Sequence, residues 1–150
     1  MILSGQSIRK RGIFTPFSER TKVNGTSYGL GPASYDVRIS ESLHLRPGQS
    51  ALACTIEHFD MPRDVLGTVK DKSTWARRFL AVQNTLIDPG WRGYLTLELS
   101  NHGREPLFIQ KGDPIAQIVL QLLDEPAEQP YEGKYQDQPA HAVGAIYEKA

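Results

Sequence analysis

The sequence predicts an all-β protein, a sandwich or barrel of short strands carrying one or two short helices. Three observations lead there. Thirteen glycines and ten prolines punctuate the 150 residues, and the runs between them are short and rich in Val, Ile, Leu, Thr and Tyr. Frequent turns between short strands fit a sandwich or barrel better than alternating strands and helices. Tyr94 to Ser100 alternates strictly, with Leu95, Leu97 and Leu99 on one face and Tyr94, Thr96, Glu98 and Ser100 on the other.

Taken in order, Gln6 to Arg11 reads as a short N-terminal helix. Ala51 to Glu57 and Val65 to Lys70 read as short strands. A second short helix is expected near Ser73, where Ser-Thr precedes Trp75-Ala76-Arg77-Arg78 as an N-cap would. The strand at Tyr94 to Ser100 follows the turn around Pro89-Gly90. Ile115 to Leu122 is another strand, entered through Lys111-Gly112-Asp113-Pro114. From Asp124 the chain turns polar and gains Pro126, Pro130 and Pro139, so residues 124–150 read as a tail lying over a surface. Residues 1–150 are expected to form a single domain, long enough to bury a core without a staple.

Composition closes several routes. Lys plus Arg and Asp plus Glu both number 17, so no net field draws the molecule to nucleic acid or to an anionic membrane. Any phosphate binding must come from a local cluster. Cys54 is the only cysteine, which excludes an internal disulfide and fits a reducing compartment. The N-terminus lacks the basic flank and apolar run of a signal peptide, and no stretch has the roughly 18 apolar residues of a membrane span. A cytoplasmic location is the expectation. His44, His58, His102 and His141 are scattered, and the His-x-Glu with Pro-Cys-x-x-Cys pattern of zinc deaminases is absent. So are a Walker loop, a dinucleotide-binding glycine turn and a nucleophile elbow.

Three features can carry chemistry. Lys72-Ser73-Thr74-Trp75-Ala76-Arg77 combines a lysine, two hydroxyls and a helix start; on a helical turn Ser73 and Arg77 share a face. Ile87-Asp88-Pro89-Gly90-Trp91-Arg92-Gly93 places Asp88 at the rim of a tight turn. There it can accept a sugar hydroxyl or position water. Glu98 lies mid-strand, where glutamate is depleted; if its face lines a pocket, a partly desolvated carboxylate makes a proton shuttle. Alone, each has an ordinary explanation: an N-cap, a turn-initiating aspartate, a solvated strand face.

Their order and spacing add what each lacks. Together with Met1 to Ser4, Gly31 to Ile39, Leu45 to Gly48, Gly112 to Gln117 and Tyr131 to Gln138, these segments form a collinear set. The set resembles the dCTP deaminases, which share a superfamily with the trimeric dUTPases. The resemblance implies a distorted β-barrel or jelly-roll of the dUTPase-like type and a homotrimer whose active sites are shared between neighbours. Glu98 falls at the place of the catalytic glutamate, where a dUTPase usually has an apolar residue. Ser73 and Arg77 match the pair that orients the attacking water and stabilises charge. Lys72 and Thr74 match phosphate contacts, and Asp88 matches the residue binding the deoxyribose 3′-hydroxyl. Thr96, Leu97 and Glu98 would supply backbone groups reading the base edge. Tyr131, Lys134 and Gln138 match tail residues that close over the triphosphate.

The implied activity is hydrolytic deamination of dCTP to dUTP, supplying dUMP and dTTP precursors. Zinc is not needed, and Mg²⁺ would ride on the substrate triphosphate rather than in a protein cage. A dUTP pyrophosphatase or a bifunctional enzyme forming dUMP is the alternative, and a non-catalytic nucleotide-binding regulator is a third reading. Two departures stand out. Between Arg77 and Asp88 the family usually carries a longer loop with a His-Val-Thr-Ala-like stretch that helps hold the water; here Ala81 to Leu86 is shorter and lacks it. The segment between Ile39 and Leu45 is compressed as well. On the dUTPase side, the glycine-rich C-terminal motif is missing from His141 to Ala150, and the uracil-reading hairpin is not recognisable.

Overall fold

The computed structural model describes residues 1–150. It contains two helices, α1 (Gly5–Arg11) and α2 (Ser73–Ala76). The strands are β1 (Phe14–Thr15), β2 (Thr21–Val23), β3 (Thr26–Leu30), β4 (Tyr35–Arg38), β5 (Leu43–Leu45), β6 (Ser50–Asp60), β7 (Val65–Asp71), β8 (Leu80–Val82), β9 (Leu86–Ile87), β10 (Arg92–Asn101), β11 (Leu107–Ile109) and β12 (Pro114–Leu122). Every strand and helix expected from the sequence is present. The short strands β1 to β5, β8, β9 and β11 add to them, because two- to five-residue pairings leave too little periodicity to read.

A four-stranded sheet runs β1-β6-β10-β8 and a six-stranded sheet runs β2-β3-β4-β12-β7-β9, with β5 and β11 as a separate ribbon. All pairings between these strands are antiparallel. One apolar cluster of 28 residues fills the interior, from Leu3 to Leu120. Leu97, Leu99, Ile118 and Leu120 are each at most 1% exposed, so the inward faces of β10 and β12 bury as alternation predicts; Ile115 is buried out of phase, where the β12–β4 register shifts. Phe14 stacks on Tyr35 at 4.1 Å and meets Phe59 edge-on at 5.0 Å, which closes one end of the core. No helix is long and apolar enough to cross a membrane.

The β6–β10 pairing is interrupted. Tyr94 lies opposite His58, but Thr96 lies opposite Cys54. Leu95 therefore faces three residues of β6. Strict alternation assigns Leu95 to the core beside Leu97 and Leu99; the bulge turns it toward a cavity as well, because local twist rises where one strand holds extra residues.

Helix α2 also differs in detail. Ser73 is its first helical residue rather than its cap. Lys72 occupies the cap position with extended backbone, and its carbonyl accepts from the N–H groups of Trp75 (3.0 Å) and Ala76 (2.9 Å). The turn is anchored by Trp75, whose Nε1 donates to the carbonyl of Pro114 at 2.8 Å inside the core. The buried indole with its satisfied N–H ties this one-turn helix to β12.

Candidate active site

The cavity that holds Glu98 is built on β10. Strand pairing sets Glu98 opposite Leu52 of β6, and its carbonyl accepts from Gln83 N–H at 3.1 Å. Its carboxylate therefore points from a rigid ladder into a space of about 380 Å³. Asp88, Thr96, Tyr131 and Gln138 line the same space. Oε2 of Glu98 is buried and has no hydrogen-bond partner. Desolvation pushes the Glu98 pKa above the ordinary carboxylate range, opposed only by a backbone hydrogen bond within the residue itself. A partly desolvated carboxylate with one unpartnered oxygen in a cavity is suited to exchange a proton with something that enters.

Tail residues Tyr131, Tyr135 and Gln138 wall this cavity. Trp91 Nε1 donates to Tyr135 O at 2.6 Å, Asp137 N–H donates to Arg92 O at 2.9 Å, and Tyr94 N–H donates to Gln138 O at 3.1 Å. Arg92 and Asp137 also form an exposed ion pair. The approach is closest at two glycines with positive φ. A Cβ on Gly90 (φ 86°) would lie 2.6 Å from Pro130 Cβ, and one on Gly93 (φ 142°) would lie 2.5 Å from Gln138 N. Thr96 Oγ1 donates to Gln138 Oε1 at 3.1 Å and accepts from Val143 N–H at 3.0 Å. Gln138 thus sits beside β10 near Glu98. Lys134 stays outside the cavity lining, exposed, with its Nζ 5.6 Å from the ring of Tyr135. Leu97 is fully buried in the core and does not line the cavity.

Lys72, Ser73 and Thr74 line a different cleft of about 320 Å³, shared with Asp36, Gln117 and Arg20. Lys72 is not a free cation there. Its Nζ donates to Asp36 Oδ2 at 2.6 Å, and Gln117 Nε2 donates to Asp36 Oδ1 at 3.0 Å. Lys72 is 6% and Asp36 8% exposed, so a phosphate would have to share the lysine with that carboxylate. Ser73 and Thr74 are exposed. Arg77 does receive the helical contact, its N–H donating to Ser73 O at 3.0 Å. Its side chain, however, lines a third depression with Arg78, His102 and Arg104.

A single chain therefore gathers Asp88, Thr96, Glu98, Tyr131 and Gln138, while Ser73 and Arg77 line other depressions. Sequence reasoning left Thr85 and Tyr135 unassigned, yet both line the Glu98 cavity. Tyr135 lay within a motif already noted, and its OH accepts from Ile146 N–H at 3.0 Å. Asp36 was also missed; an aspartate inside the strand-like run Tyr35 to Ile39 is the signal that would have found it. No group of three His, Cys, Asp or Glu side chains is placed to hold a metal ion.

Comparison with known proteins gives a consistent picture. Residues 34–123 match the family model described as dCTP deaminase-like. The chain is 33% identical over 151 residues to a dCTP deaminase of Thermococcus gammatolerans, covering 91% of each. It is 35% identical over 176 residues to a dCTP deaminase of Campylobacter hominis, covering 95% of this chain and 92% of the other. In structure it resembles the native EIAV dUTPase with a TM-score of 0.60 at 17% identity, over 81% of this chain and 97% of that one. A point variant of the dUTPase from phage phi11 of S. aureus, in which a structural Mg(II) ion is coordinated, follows with a TM-score of 0.58 at 19% identity. That alignment covers 78% of this chain and 91% of the phage enzyme. These two likenesses establish the dUTPase-like fold.

Proposed function

The chain belongs to the dCTP deaminase-like family, and from that membership we propose that it hydrolyses dCTP to dUTP and ammonia with Glu98 as the proton shuttle. The observation that carries this reading is the buried, unpartnered Oε2 of Glu98 in a cavity that also holds Asp88. Cytosine enters with C4 toward Glu98. The carboxylate takes a proton from water as the hydroxide adds to C4, giving a tetrahedral intermediate. Protonated Glu98 then delivers that proton to the amino group, which leaves as ammonia, and the C4 hydroxyl proton passes to N3 as the carbonyl forms. One carboxylate serves both steps because burial lifts its pKa above the ordinary carboxylate range and so strengthens its hold on the proton it carries between them.

Backbone groups of Thr96 and Glu98 read the base, and Asp88 accepts the 3′-hydroxyl. Tyr131 and Gln138 close the tail side, with Lys134 reaching the phosphates from the exterior. Lys72, Ser73 and Thr74 serve the phosphates and the water. The separation of Ser73 and Arg77 from Glu98 within one chain supports a homotrimer in which a neighbour supplies them. In that arrangement Arg77 limits the rise of the Glu98 pKa. The available donor set suits Mg²⁺ carried in on the triphosphate rather than held in a protein cage. The continuous core supports one domain over residues 1–150, working in the cytoplasm on the deoxynucleotide pool.

Asp88 lines the same cavity as Glu98, which favours a second reading, a bifunctional enzyme that goes on to dUMP with Asp88 activating the hydrolytic water. Incubation with dCTP and Mg²⁺, with nucleotides resolved by anion-exchange chromatography, tests both. Accumulating dUTP supports the deaminase; dUMP with pyrophosphate supports the bifunctional enzyme. Unchanged dCTP overturns both.

A further inference from the structure

Two consecutive residues of β10, Leu95 and Thr96, both line the cavity. In a regular strand neighbours point to opposite faces, so both cannot line one pocket. They do so here because Thr55, Ile56 and Glu57 of β6 all lie opposite Leu95. An interruption of that length removes ladder partners, and a buried N–H left without an acceptor is costly.

Thr55 supplies the missing partner. Its Oγ1 accepts from Leu95 N–H at 3.0 Å and donates to Glu57 O at 2.8 Å. A hydroxyl can do both at once, whereas the isosteric valine can do neither. Thr55 is 1% exposed and cannot touch a ligand. Its backbone bridges to Ile39, and the fully buried Glu57 accepts from Arg38 N–H at 2.9 Å and Arg38 Nε at 2.8 Å. The bulge is thus tied to the opposite sheet from behind.

We propose that Thr55 is a positioning residue for the deamination: its hydroxyl holds the β6 bulge open so that the Leu95–Thr96 backbone stands as the base-binding wall. The inference rests on reading this cavity as the cytosine site. Without the hydroxyl, residues 95 and 96 relax toward β6, and the wall shifts while the Glu98 carboxylate stays on the regular part of the ladder. Displacements of this kind, remote from the chemistry, change rates by up to about 100-fold.

The test compares full-length wild type, Thr55→Val and Thr55→Ser in steady-state dCTP deamination, with melting curves recorded alongside. Thr55→Val should lose roughly 10–100-fold in kcat/KM, carried mainly by KM, and keep the wild-type pH profile of kcat. Thr55→Ser should recover to within about threefold of wild type, since the hydroxyl is restored. Thr55→Val with wild-type KM and kcat, whatever its melting temperature, overturns the inference. A Thr55→Ser as impaired as Thr55→Val does so too. If Thr55→Val does not fold, Thr55→Cys, with its weaker donor and acceptor, takes its place under the same expected ranking. Wild-type protein that leaves dCTP untouched in the same assay overturns the underlying reading and this inference together; an active wild type with an unaffected valine variant overturns the inference alone.

Discussion

Replacing Glu98 with Gln keeps the shape of the side chain and removes its ability to carry a proton. In the proposed deamination that one group acts twice, as base toward water and as acid toward the departing amine. General acid–base catalysis contributes about 10²- to 10⁴-fold to a rate. Loss of both roles should lower kcat by at least ~10³-fold, which corresponds to about 4 kcal/mol of transition-state stabilisation. The substrate contacts assigned to Asp88 and the tail are untouched, so dCTP binding followed by calorimetry should change by less than about threefold.

Stability should move the other way. Burial raises the Glu98 pKa in the folded protein, so the folded state holds the proton more tightly than the unfolded chain. The protein is accordingly most favoured by this group below the ordinary carboxylate pKa. That contribution is lost as pH rises through the raised folded value. Glutamine has no charge to desolvate, so Glu98→Gln should melt higher than wild type above that window and gain nothing in acid. Ammonia release, dUTP formation and melting curves at pH 4 and pH 8 read these effects separately. A kcat within tenfold of wild type refutes the assignment of Glu98 as shuttle, and an equal melting shift at both pH values refutes the desolvation argument.

Asp88→Asn should raise the KM for dCTP roughly tenfold, the equivalent of one charge-assisted hydrogen bond, and leave kcat nearly unchanged; loss of any dUMP-forming activity in the same variant would mark the bifunctional enzyme. Gly93→Ala places a methyl group 2.5 Å from Gln138 N at a φ of 142°, so the tail should lift. Proteolysis after residue 130 should then accelerate and KM should rise about tenfold; a tail as protected as in wild type would refute its docking on β10. Mixed trimers of Arg77→Ala and Glu98→Gln chains should regain about a quarter of wild-type activity, because a quarter of randomly shared sites receive both intact residues. No recovery on mixing, with trimers present by ultracentrifugation, would refute shared sites.

The alternation of Tyr94 to Ser100 and the apolar run of Ile115 to Leu122 were legible in the sequence because each strand buries a face long enough to print its period. The turn at Asp88 and the helix at Ser73 were legible through Pro, Gly, Ser and Thr, which act over a few residues. The capping role of Ser73 was misread, since what holds that turn is the distant contact from Trp75 to Pro114. The short strands β5, β8, β9 and β11 left no local trace, because their stability comes from partners elsewhere in the chain; β2 pairs with the adjacent β3 across Asn24-Gly25, a hairpin turn that was legible locally and passed unread.

By itself, then, the sequence determined an all-β chain with a carboxylate at Glu98, another at Asp88 and a polar tail, along with the collinear motifs that mark its family. These are properties of residue type and near-neighbour spacing. Only the tertiary structure decided that Lys72 is paired with Asp36, that Gln138 lies against Thr96, and that Ser73 and Arg77 open onto other surfaces than Glu98 does. It alone revealed the Thr55 bulge that turns Leu95 and Thr96 to the same side. Register between strands forty residues apart is set by the summed packing and hydrogen bonding of the whole sheet, and no local stretch of sequence encodes that sum.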